Sequence, residues 1–145
     1  MNTLTQEENK IINLNPQSLA FVGDAVFSLY IRERIVMSDE HKPNEEHKLT
    51  TQFVKASGQS HIISDIENEM TEVESKLYKR ARNYKTNNIA KNAKVIDYKR
   101  ATGFEAVLGY LYLTKNLDRL EYLMSMGYNS IKSNLEKTQG DKSNA

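Results

Sequence analysis

The chain has no cysteine, only two prolines and six glycines, and no apolar run long enough to span a bilayer. Each shortage removes a class of protein. Without thiols there are no disulfides, no thiolate zinc sites and no cysteine nucleophile, in keeping with a reducing compartment. The N-terminus MNTLTQEENK lacks a basic start followed by a hydrophobic block, so a cytoplasmic protein with no membrane partner is expected. Few prolines and glycines, no alternating strand pattern and repeated three-to-four spacing of apolar residues predict an all-α domain. A length of 145 residues suffices for one packed core and not for two.

Charge is nearly balanced overall, at +1, but not along the chain. Residues 65–75 hold five acids and no Lys or Arg, whereas residues 79–100 hold eight bases against Asp97 alone, a local charge of +7. A positive field of that size can hold phosphates whatever the global balance.

About six helices are expected. The first runs from Gln17 to Val36 behind Pro16, and the second opens at Pro43-Asn44 with Glu45 and Glu46 matched to the helix dipole and reaches Ala56. Ser57-Gly58 reads as a break, with a short third helix from Gln59 or Ser60 to Met70. Thr71 and Glu74 form a capping-box pattern for a fourth, ending at Arg82 or Asn83. NYKTNNIAKNAK reads as an exposed loop. A fifth helix covers Asp97 to Leu113, and a sixth follows Asn116 to Leu135, with a possible interruption at Gly127. This gives an N-terminal extension over 1–13, one domain over 14–135 and a disordered polar tail over 136–145.

The two most apolar helices each carry a lone acid. Asp24 sits among Phe21, Val22, Val26 and Phe27; Glu105 sits among Phe104, Val107, Leu108 and Leu111. Small residues at Gly23, Ala25, Gly103, Ala106 and Gly109 would let the helices approach and bring the carboxylates together. Two like charges so placed repel, and one takes up a proton unless a divalent cation lies between them. Mg²⁺ suits that gap, because it takes few carboxylates, keeps its waters and completes its shell with phosphate oxygens. Spacing leaves the plainer reading open, in which each acid points outward or pairs with Arg32, Arg34 or Arg100.

LAFVGDAVFSLYIR resembles the signature segment of ribonuclease III domains, and YKRATGFEAVLGYLYL resembles their second acidic helix. The likeness extends from about Leu14 to Leu135. No room is left for the double-stranded-RNA-binding domain that commonly follows, and KPNEEHK and KRARN are similar to segments of the short Mini-ribonuclease III subclass. The usual family pattern has further acids at the positions held here by Ala20 and Thr102, and a reduced acid count is a mark of that subclass.

The resemblance implies an all-α, ribonuclease III-like helical bundle, homodimeric through the signature helices around Phe21, Phe27 or neighbouring apolar residues. It implies an endoribonuclease that cuts double-stranded RNA to leave 5′-phosphate and 3′-hydroxyl ends, with 23S ribosomal RNA precursor as substrate. Asp24 and Glu105 would be the catalytic and metal-binding residues for Mg²⁺, with Mn²⁺ as a substitute, and the Thr102 hydroxyl a second-shell oxygen. A ribosomal protein could serve as helper. For grip on RNA, the positive segment offers Arg80, Arg82, Lys85, Asn88, Lys91, Lys94 and Arg100. The alternatives are a non-catalytic RNA-binding or ribosome-associated protein on the same fold, and a plain helical interaction module with both acids ion-paired. His41, His47 and His61 are too scattered for a metal site.

Overall fold

A helix that is apolar almost all the way round must be enclosed by others, and Val95–Leu113 is such a helix. The computed structural model describes residues 3–38, 42–85 and 94–143. Its α-helices run in the order α1 (Gln6–Ile12), α2 (Pro16–Met37), α3 (Glu46–Val54), α4 (Ala56–Ile66), α5 (Glu72–Arg82), α6 (Val95–Leu113) and α7 (Leu117–Ser143). Short 3₁₀ turns, Pro43–Glu45 and Glu67–Glu69, lead into α3 and out of α4. No strand occurs among the described residues, and no helix there is long and apolar enough to cross a membrane. The all-α expectation holds.

α6 is the axis, with α2, α4, α5 and α7 packed around it. Its buried side chains include Phe104, Val107, Leu108 and Leu111. α2 turns Leu19, Phe27, Ile31 and Ile35 inward, roughly one residue per turn. Phe27 meets Phe104 edge-on at 5.4 Å between ring centroids. The two helices touch backbone to backbone at their glycines. A Cβ on Gly23 would stand 1.7 Å from the Glu105 carbonyl oxygen, and one on Gly109 would stand 1.9 Å from that of Leu19. Residue 19 thus meets 109 while 23 meets 105, so α2 and α6 run antiparallel.

Local chemistry sets the helix ends. The Asn15 side chain accepts from the Gln17 amide, with Pro16 in the first turn of α2. The Thr71–Glu74 capping box opens α5 as expected. Glu74 is 3% exposed, and its carboxylate also receives two 2.9 Å hydrogen bonds from Arg119, which clamps the start of α5 to α7. At the end of α6 the amides of Lys115 and Asn116 bond back to Tyr112 and Leu111, with Lys115 at φ 63° in the left-handed position that closes such a turn.

Four boundaries differ from expectation. Residues 6–12 form α1 behind a Thr5–Glu8 capping box, inside what reads as an extension. The break between α3 and α4 falls at Lys55, whose backbone is extended, and not at Ser57-Gly58. Gly58 lies within α4, where a Cβ would stand 2.6 Å from the Gln52 carbonyl oxygen, so this glycine serves packing and not chain reversal. α7 runs through Gly127, which packs on the Ile62 side chain, and continues as helix to Ser143, past the expected end at Leu135. Helix propagation accounts for that last difference, since a polar segment with no glycine or proline before Gly140 adds turns to a helix already nucleated on a packed face. Most of the expected loop, residues 86–93, lies outside the described residues.

Candidate functional site

The glycine contact at Gly23 places the two acids side by side, because Asp24 follows Gly23 on α2 and Gly23 rests on the backbone of Glu105. Both carboxyls face one cleft of ≈ 460 Å³, whose wall also includes Ala20, Thr102, Gln59 and Tyr98. Asp24 is exposed and Glu105 is half-buried. The Glu105 carboxyl is pushed up from 4.5 to about 9, by burial first, then by its hydrogen bond with Asp24 and the repulsion of that like charge. The Gln59 amide acts in the opposite direction, favouring the charged form.

Among the described residues neither acid is within ion-pair distance of a Lys or Arg. The arginines that the plainer reading supplies are engaged elsewhere. Arg32 donates to Ser28, Arg34 lies over the rings of Tyr30 and Tyr128, and Arg100 donates to Ser64 Oγ at 2.8 Å. Two carboxylates converging in an open cleft without a cationic side chain fit a hydrated divalent cation, which prefers hard oxygen donors. The wall adds a further oxygen. Gln59 Oε1 is buried without a hydrogen-bond partner. No group of three or more His, Cys, Asp or Glu is assembled among the described residues. Thr102 donates to the Tyr98 carbonyl at 2.9 Å and keeps oxygen lone pairs toward the cleft it lines.

The basic residues are deployed unevenly. Arg80 donates to the carbonyls of Ile12 and Leu14, which fixes the chain entering α2 and commits this guanidinium to structure. Arg82 lies over Tyr78 at 5.5 Å and donates to Asn83. Lys85 and Lys94 are exposed on either side of the undescribed stretch, and Asn88 and Lys91 lie within it. Of the two phenylalanines expected at a dimer contact, Phe27 is fully enclosed in the core by its packing on Phe104, which removes it from any surface. Phe21 is 81% exposed and Leu29, two turns on, 66%.

Gln59 escapes a reading of the sequence by residue type, since glutamine is common on surfaces. One signal does mark it: Gln59, Ile62, Ile63 and Ile66 share the i, i+3, i+4, i+7 stripe that α4 buries. A polar residue on such a stripe needs a partner in the interior.

The ribonuclease III domain family matches residues 17–116. A Mini-ribonuclease 3 of Clostridium tetani is 44% identical over 134 residues, covering 90% of this chain and 89% of its own. One from Streptococcus pneumoniae is 46% identical over 114 residues, with 77% and 89% covered. In three dimensions the chain is similar to a Fusobacterium nucleatum protein solved by X-ray crystallography. The TM-score is 0.72 at 30% identity, covering 81% of this chain and 93% of that one.

Proposed function

We propose, from the premise that this chain belongs to the ribonuclease III domain family and to its Mini-ribonuclease 3 branch, that Asp24 and Glu105 are its catalytic pair and hold Mg²⁺, with Mn²⁺ able to substitute. The chain is an endoribonuclease that acts on double-stranded RNA. The observation that carries the site assignment is that Asp24 and Glu105 line one cleft at the Gly23 crossing with no Lys or Arg within ion-pair distance among the described residues, and the raised Glu105 carboxyl agrees with it. An ion held by Asp24 and Glu105 would supply Lewis-acid activation of the scissile phosphate and of water and would stabilise the charge on the leaving 3′ oxygen.

The protein's own part is to carry the two carboxylates on packed helices, whose backbones touch at Gly23 and fix the spacing of residues 24 and 105. The open cleft admits a phosphate between the acids, while the neighbouring Phe21 and Ala20 give it an apolar lip. Products carry 5′-phosphate and 3′-hydroxyl ends. The substrate is 23S ribosomal RNA precursor, met in the cytoplasm, with a ribosomal protein as helper in presenting it. Phe21 and Leu29 lie on one exposed apolar face of α2, which a second copy of the chain covers in an isologous homodimer and so aligns two clefts along one duplex.

A titration tests the assignment. EDTA abolishes cleavage of a duplex RNA, Mg²⁺ or Mn²⁺ restores it, and the new 5′ ends are phosphorylated. Cleavage that persists in EDTA would remove the cation from the reaction. For RNA grip, Arg82, Lys85, Asn88, Lys91, Lys94 and Arg100 remain after Arg80 is set aside, with Asn88 and Lys91 outside the described residues. Replacing Arg82 and Lys85 together by Ala weakens duplex binding at all sequences and lowers the slope of log K against log salt by roughly 1–2. An unchanged slope, measured on the Asp24→Asn background to prevent turnover, would exclude this segment from the phosphate contacts.

A further inference from the structure

Gln59 is 2% exposed, yet it forms part of the wall of the cleft between Asp24 and Glu105. Its side-chain nitrogen donates to the Val54 carbonyl at 2.9 Å. That bond fixes which end of the carboxamide is which, since only the NH₂ can donate to a carbonyl. Oε1 is then committed to the other direction and is buried with no hydrogen-bond partner. Buried polar oxygens are rarely left so in a folded protein unless the site has a use for them. The anchor is rigid, because Val54 ends α3 one residue before the extended Lys55 junction and Gln59 lies in the first turns of α4. Gln59 and Glu105 line the same cleft.

We propose that Gln59 is a positioning residue for the divalent-cation site: anchored to the Val54 carbonyl, it offers Oε1 to a water in the hydration shell of a cation held by Asp24 and Glu105, and so orients that shell. An amide suits this place better than a third carboxylate. It adds an acceptor without adding charge to a pair that already repels, and its donor end stays tied to the protein. Outer groups of this kind orient the ligands of a metal and raise its affinity. The inference rests on the reading of Asp24 and Glu105 as the ligands, and goes beyond it in assigning a role to a residue that touches neither phosphate nor cation.

The experiment measures Mn²⁺ alone binding to the full chain, by paramagnetic relaxation of water protons, without RNA. Gln59→Leu and Gln59→Met keep the volume and remove the oxygen. Both are expected to weaken Mn²⁺ binding of the folded protein about 10–100-fold, with a modest fall in Tm without cation, since the bond to the Val54 carbonyl goes together with the unpartnered oxygen. A residue that served only packing and the Val54 bond would leave the Mn²⁺ Kd of the folded fraction unchanged whatever its Tm, and that result overturns the proposal. If Leu disrupts folding, the unbranched Met variant decides by the same Kd. Asp24→Asn separates the two levels of inference. Lost Mn²⁺ binding in Asp24→Asn with wild-type binding in both Gln59 variants sinks the role of Gln59 alone. Unchanged binding in Asp24→Asn sinks the ligand assignment itself.

Discussion

Glu105→Gln abolishes cleavage and raises the melting temperature of the cation-free protein at pH 8. The two effects have one cause. In the fold the Glu105 carboxyl titrates near 9, whereas its ordinary value is 4.5, so across neutral pH the folded chain keeps a proton that the unfolded chain has released. Stability from this group is therefore complete below about 4.5 and declines as pH rises toward about 9. Gln imitates the protonated carboxyl and removes the decline. Allowing for the water that reaches the cleft, the gain at pH 8 is on the order of 2 kcal/mol, or roughly 5 °C in Tm for a domain of this size.

Mg²⁺ acts as the proton does and more strongly. It neutralises the repulsion with Asp24, so wild-type protein gains Tm on adding Mg²⁺ above neutral pH, releases a proton as it binds, and binds more tightly as pH rises. Glu105→Gln loses that response. Loss of a ligand also removes several kcal/mol of transition-state stabilisation, so kcat falls about 10³-fold or more. Asp24→Asn loses activity to the same degree while the Glu105 carboxyl falls back toward its usual range, because one source of its shift is gone. Thermal melts with and without Mg²⁺ at pH 6 and pH 8, beside cleavage assays, check all of this. A Glu105→Gln variant that still cuts RNA, or melts lower than wild type at pH 8 without cation, contradicts it.

Gly23→Ala is expected to be the most damaging Gly→Ala change among the described glycines. The added carbon would meet the Glu105 carbonyl oxygen at 1.7 Å, its carbonyl carbon at 2.6 Å and the Gly109 nitrogen at 2.9 Å. All three are backbone atoms of a helix, which cannot rotate aside as a side chain does. α2 and α6 must part, opening the packing of Phe27 on Phe104, at a cost of roughly 3 kcal/mol or more despite the better helix propensity of Ala. Gly109→Ala does the same from the other side, at 1.9 Å from the Leu19 carbonyl oxygen. Gly127→Ala is the contrasting case. Its nearest neighbour is the terminal Cδ1 of Ile62 at 3.2 Å, and its Tm should stay within a few degrees of wild type. Because the same crossing sets the spacing of Asp24 and Glu105, any folded Gly23→Ala protein also binds Mn²⁺ more weakly. Equal Tm for Gly23→Ala and Gly127→Ala would mean that the helices do not touch as described.

Much of the site was legible in the residues, because close helix approach leaves a mark that needs no coordinates. Gly23, Ala25, Gly103, Ala106 and Gly109 mark where a backbone can touch a backbone, and acids beside them become neighbours. Turn and cap chemistry was nearly as clear at Thr71–Glu74, where the pattern and the structure agree. The same pattern at Thr5–Glu8 was equally available, and only the polar composition of the N-terminus hid it. Where residue type has two uses, the sequence misleads. Gly58 reads as a helix breaker and is a packing glycine, Arg80 reads as a phosphate ligand and binds backbone carbonyls, and Phe27 reads as a surface contact and is core.

By itself, then, the order of residues determined that the chain is all-helical, that its two greasiest helices each carry one acid, and that positive charge gathers before the second of them. Those properties follow from local spacing and composition, which do not depend on distant neighbours. Only the tertiary structure decided that the two acids share a cleft with no arginine, that Glu105 is buried enough to hold its proton to about 9, and that Gln59 completes the wall. Burial and partner choice are sums over residues far apart in the chain, and a side chain's chemistry is fixed by that sum as much as by its own identity.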